Sequence, residues 1–127
     1  LDNSLSTKKL VFIAVPGKME LVINKAIKMM GVPPQAAKVF KSILESKVQN
    51  QPLKAVDVAA AYPYVNVEDV LVIHDRKDPV VSYHAAENIF ENWGNANMLV
   101  TEGFGHFRIM KHPEVIKRVV DFINVDY

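Results

Sequence analysis

Two runs of successive apolar residues limit the folds open to this chain. They are Leu10–Val15 and Val70–Ile73. A strand with one wet face alternates apolar and polar residues, whereas these runs are apolar at every position. That pattern suits strands covered on both faces, as in a parallel sheet with helices on each side. A third run, Met98–Thr101, reads as a further strand.

Helical patterns lie between and after these strands. Tyr83, Ala86, Ile89, Phe90 and Trp93 fall on one helical face, with Ser82 placed to cap it and Gly94 to stop it. Pro113 suits a first helical turn, after which Ile116, Val119, Val120 and Ile123 form an apolar stripe. The connection between the first two strands, roughly residues 17 to 69, holds two more helical patterns. One runs from about Lys18 to Met30, where Gly31 stops it. The other starts near Pro34, with Ala36, Phe40, Ile43 and Leu44 on one face. A parallel crossover needs only one helix, so the surplus reads as an inserted helical hairpin. Gln49–Pro52 reads as a loop and Tyr62-Pro63 as a break. The predicted class is therefore α/β, with three parallel strands, flanking helices and a helical insertion. Its divisions are a first strand region at 1–16, the insertion and connection at 17–69, and a strand-helix-strand-helix unit at 70–127.

Charge and composition narrow the function. Fifteen Lys+Arg face fourteen Asp+Glu, a net charge of +1. Nucleic-acid binders carry a clear basic excess, so no nucleic-acid partner is expected. The lysines of the insertion (Lys25, Lys28, Lys38, Lys41 and Lys47) read as solvated faces. No run is long enough to span a bilayer, and no targeting peptide opens the chain. A soluble, cytoplasmic protein with no membrane partner is expected. With no cysteines, disulfides and thiolate sites within the chain are excluded. His74, His84, His106 and His112 lack short ligand spacing, so no metal is expected. Met29-Met30 reads as packing or as the lining of a pocket.

Ligands of open parallel sheets sit beyond the carboxyl ends of the strands. After the second strand comes His74-Asp75-Arg76-Lys77-Asp78-Pro79-Val80-Val81, and after the third Glu102-Gly103-Phe104-Gly105-His106. Adjacent strands lie about 4.8 Å apart, so Asp78 and His106 can meet. Gly103 and Gly105 allow the sharp turn that presents the imidazole. A catalytic imidazole needs its Nδ1–H held by an acid, which sets its tautomer and stabilises the imidazolium that forms.

These loops, in this order around a helix ending at Trp93-Gly94, resemble the carboxyl-terminal part of an α/β-hydrolase. The resemblance runs from about Lys9 to the end. It implies Asp78 as the catalytic acid and His106 as the base, a lid at the helical excursion of residues 17–53, no cofactor, and a small acyl or ester substrate. Asp75 stands where many relatives carry glycine and is a minor rival for the acid. The family's nucleophile sits in a strand-to-helix elbow, usually Gly-x-Ser-x-Gly. None of Ser4, Ser6, Ser42, Ser46 and Ser82 has that setting. The elbow precedes the lid in the family, so it is expected upstream. With Leu1 in place of an initiator Met, the chain reads as processed or as part of a longer protein. The other reading is a binding or interaction module, derived from a hydrolase, that has lost its nucleophile. The apolar first strand should not lie at an open edge. Without a further neighbour it is expected to drive self-association.

Overall fold

The computed structural model describes residues 5–47 and 57–125. Three strands, β1 (Leu5–Ile13), β2 (Val65–Asp75) and β3 (Ala96–Thr101), form one sheet in the order β1-β2-β3. Both pairings are parallel. Leu10 lies opposite Val70, Ile13 opposite Ile73, and Asp75 opposite Thr101. Four helices accompany them: α1 (Met19–Met29), α2 (Pro34–Lys47), α3 (His84–Asn92) and α4 (Pro113–Asn124). The predicted loop Gln49–Pro52 lies outside the described residues.

The doubly apolar run does what its pattern implies. Val70, Leu71, Val72 and Ile73 are all buried. Alternation along the strand sends them to two different cores. Leu71 and Ile73 pack with Ala14, Ile109, Val115 and Phe122, on the α4 side. Val70 and Val72 pack with Ala59, Ala86, Ile89 and Trp93, on the α3 side. Removing each such side chain from water stabilises the fold by about 1.5–3 kcal/mol.

The strands begin earlier than their apolar runs. The first part of β2 alternates half-buried and exposed residues, and only from Val70 is every position buried. β1 likewise starts within the polar opening, with Ser6 and Lys8 exposed. Ladder hydrogen bonds extend a strand past the point where its side chains cease to be covered. The Lys9 ammonium reaches across to the end of α4. It donates to the Phe122 carbonyl at 2.6 Å, to that of Ile123 at 3.2 Å, and to that of Val125. These carbonyls lack partners within the helix, and the charge complements the negative end of its dipole.

Two packing expectations need correction. In α4 the buried residues are Val115 and Phe122, with Val119 partly buried, while Ile116, Val120 and Ile123 are about half exposed. Two apolar stripes run side by side on this helix, and the core takes the one that shares only Val119 with the predicted stripe. In α3, Phe90 points outward and Ala85 inward. As expected of three strands without a further neighbour, β1 lies at an edge, pairing with β2 alone among the described residues.

The helical pair α1–α2 occupies the connection between β1 and β2 as expected. α2 buries none of its residues, and Lys41 of α2 approaches Glu20 of α1 at 3.9 Å. Lys25 is not merely a solvated charge. Its ammonium donates to the carbonyls of Pro79 (2.6 Å) and Val80 (3.2 Å), tying α1 to the turn after β2. Among the described residues, no helix is long and apolar enough to cross a membrane.

Candidate active site

The turn after β2 is built around Asp78. Its amide donates to the Asp75 carbonyl at 3.2 Å, which closes the turn. Its Oδ1 accepts the amides of Val80 and Val81, each at 2.8 Å. Asp readily organises such a turn because its side chain accepts from backbone two or three residues on. With Oδ1 so engaged, Oδ2 is left for a side chain.

The loop after β3 supplies it. Gly103 and Gly105 have φ of +80° and +77°, a left-handed conformation in which a side chain would be strained. The turn they permit brings His106 Nδ1 to 2.8 Å from Asp78 Oδ2. The Asp78 side chain is fully buried, and that of His106 is 20% exposed. The imidazole thus has one end on the acid and an open edge.

Burial pushes the Asp78 carboxyl upward. The Val81 amide, the His106 ring and the Val80 amide together outweigh burial and hold it below the ordinary carboxylate range. Asp78 is therefore ionised at neutral pH. An ionised carboxylate can only accept, so Nδ1 carries a proton, and the neutral form of the ring has its lone pair on Nε2. That tautomer is suited to take a proton from a substrate or a nucleophile.

His74 is buried beside the same carboxylate. Its Nε2 lies 2.9 Å from the Val81 carbonyl and 3.4 Å from Asp78 Oδ2. A carbonyl has no proton to give, so Nε2–H is the donor. The sequence alone placed His74 at the strand end and gave it no part in the site. Its reach to Val81, seven residues on, depends on the path of the turn and had no sequence signal.

Asp75, the alternative acid, does not bond His106. It faces the Thr101 hydroxyl and the amides of Phe104 and Lys77. The other histidines are placed apart from the pair. His84 is exposed and bonds Glu87 through Nδ1 at 2.9 Å. His112 precedes α4, accepts from the Glu114 amide and stacks on Phe104. Among the described residues, no serine hydroxyl bonds His106, and no group of three or more His, Cys, Asp or Glu could hold a metal ion.

A small cavity of about 170 Å³ lies between α1 and the turn after β2. Pro16, Leu21, Val22, Val80, Val81 and Ala85 give it apolar walls, and Lys18, Lys25 and His84 stand among its lining. Met29 and Met30 do not line it and are largely exposed.

Three parallel strands with helices on both faces, an inserted helical pair, and long loops at the carboxyl ends of β2 and β3 define a portion of an α/β-hydrolase fold. The chain belongs to the TAP-like protein family, whose profile matches residues 42–124. Two solved structures from Mycobacterium tuberculosis share the fold. One is BpoC of strain H37Rv, described as a candidate non-heme bromoperoxidase. It has a TM-score of 0.57 and 16% identity over 95% of this chain and 59% of its own length. The other is Rv0554, with a TM-score of 0.55 and 14% identity over 95% of this chain and 58% of its own. This chain thus spans under two thirds of the length of either. No curated protein matches it significantly.

Proposed function

We propose that this chain carries the acid and base of a hydrolase that cleaves an ester or related acyl bond by nucleophile-His-Asp catalysis. The observation that carries the proposal is the 2.8 Å bond between His106 Nδ1 and the buried, ionised Asp78. In this mechanism a nucleophile outside the present sequence, Ser in the leading reading and Asp or Cys in some relatives, attacks the substrate carbonyl. Where it is Ser, His106 Nε2 takes its proton, and Asp78 stabilises the imidazolium that forms. His106 then returns the proton to the leaving group. The apolar cavity beside the turn after β2 suits a short acyl group. The helical pair α1–α2, of which α1 walls this cavity, serves as the lid.

The test uses a panel of nitrophenyl esters. A longer gene product that includes the sequence upstream of Leu1 should hydrolyse them and lose at least about a thousandfold in rate on His106→Ala. The 127-residue chain alone should show no turnover that depends on His106. Turnover of the short chain abolished by His106→Ala would place a nucleophile within it. An inactive longer product without an elbow would favour the binding-module reading.

A further inference from the structure

Asp75 is a second buried carboxylate, and the proposed acid–base pair leaves it without a task. Its side chain is wholly shielded from solvent. Oδ1 accepts the Thr101 hydroxyl at 2.6 Å and the Phe104 amide at 3.0 Å, while Oδ2 accepts the Lys77 amide at 3.2 Å. The donors come from both loops of the site. Lys77 belongs to the turn that carries Asp78. Thr101 ends β3, and Phe104 stands two residues before His106.

Strand alternation explains the division of labour. His74 follows Val70 and Val72 to the α3 side, where it holds the Val81 carbonyl. Asp75 follows Leu71 and Ile73 to the α4 side and meets Thr101, its partner in the β2–β3 register. Of these adjacent residues at one strand end, His74 holds the acid loop, whereas Asp75 holds the base loop through Thr101 and Phe104 and also accepts the Lys77 amide of the acid loop. The base loop needs an anchor, since Gly103 and Gly105 restrict its backbone least of all residues. The pair that Lys77 forms with Glu102 at 3.6 Å also joins the two loops, but it is exposed and of small effect. Burial pushes the Asp75 carboxyl upward. The Thr101 hydroxyl and the amides of Phe104, Gly105 and Lys77 outweigh it and keep the group ionised at neutral pH. Bonds to an ionised acceptor are the stronger kind.

We infer that Asp75 is a positioning residue for His106, its carboxylate holding Thr101 and Phe104 so that the imidazole meets Asp78. This rests on Asp78 and His106 being the acid and base.

The experiment is NMR on the 127-residue chain with ¹⁵N-labelled histidine. It compares the native sequence with Asp75→Asn, Thr101→Val and Thr101→Ser. The readouts are the tautomer of His106, the exchange rate of its Nδ1 proton with water, and the amide exchange of Val72 as a measure of core opening. Asp75→Asn is expected to speed exchange of the Nδ1 proton at least about tenfold more than it speeds Val72. Thr101→Val should give a smaller change in the same direction, and Thr101→Ser should behave as the native chain. An unchanged His106 signal in a folded Asp75→Asn chain would overturn the inference and leave the Asp78–His106 pair standing. Should Asp75→Asn not fold, an unchanged signal in Thr101→Val has the same force. A native chain without an Nδ1-bound proton on His106 would instead overturn the acid–base reading, and this inference with it.

Discussion

Replacing Asp78 with asparagine keeps the shape of the side chain and removes its charge. The amide oxygen can still accept from Val80 and Val81, at 2.8 Å in the native chain. The group facing His106 becomes an NH₂ donor, and a donor cannot accept the Nδ1 proton. The imidazole is then expected to move its proton to Nε2, which abolishes the lone pair needed for general-base work. Three hydrogen bonds lose charge assistance, while a buried charge disappears. The bonds are worth about 1.5–3 kcal/mol each with the charge and about 1 kcal/mol without it. The avoided desolvation returns part of that difference, leaving a net destabilisation of about 1–3 kcal/mol at neutral pH. The pH dependence carries a definite sign. Against the upward push of burial, the Val81 amide, the His106 ring and the Val80 amide hold the native Asp78 pKa below the ordinary aspartate range. Its contribution to stability is therefore full above the unfolded pKa and is lost as pH falls through the folded one. Asp78→Asn should destabilise the chain at pH 7 and flatten the fall in stability at acid pH. Urea denaturation from pH 7 to pH 2.5 measures both, and ¹⁵N shifts of His106 report the tautomer. A variant that keeps the Nδ1–H tautomer, or loses stability with acid as steeply as the native chain, would refute this reasoning.

Other consequences are simpler to check. Gly105→Ala places a side chain at φ +77° with no atom within 4 Å of its Cβ. It should cost about 1 kcal/mol from backbone strain alone, read by urea denaturation, and should accelerate exchange of the His106 Nδ1 proton. Leu71→Ala opens a cavity in the α4-side core and should cost about 2–5 kcal/mol by the same assay. The open side of β1, together with the exposed Ile116, Val120 and Ile123 of α4, is expected to make the 127-residue chain self-associate. Sedimentation across a hundredfold dilution, roughly, should show a concentration-dependent mass; a constant monomer mass would count against it.

The pattern of apolar residues was enough to place the sheet, because burial on both faces leaves no polar position in a run such as Val70–Ile73. The candidate pair was equally legible. Asp78 and His106 follow adjacent strands, and the glycines before His106 announce a backbone that only they adopt easily. Helix faces were less so. α4 carries Val115, Val119 and Phe122 on one line and Ile116, Val120 and Ile123 on the next, and either could have met the sheet. Periodicity defines a stripe but cannot say which of two neighbouring stripes another element will cover.

What the sequence by itself determined is thus the class of fold, the order of its elements and the two loops that end together. The tertiary structure decided which carboxylate serves which partner. Asp75 ends β2 and Asp78 stands three residues on, in the turn that follows, and both are buried and ionised. Strand pleating turns the first toward Thr101, its partner across the β2–β3 pairing. The turn closed by the Asp78 amide aims the second at His106. That choice depends on the direction of each Cα–Cβ bond in the folded backbone, a quantity that residue spacing does not contain.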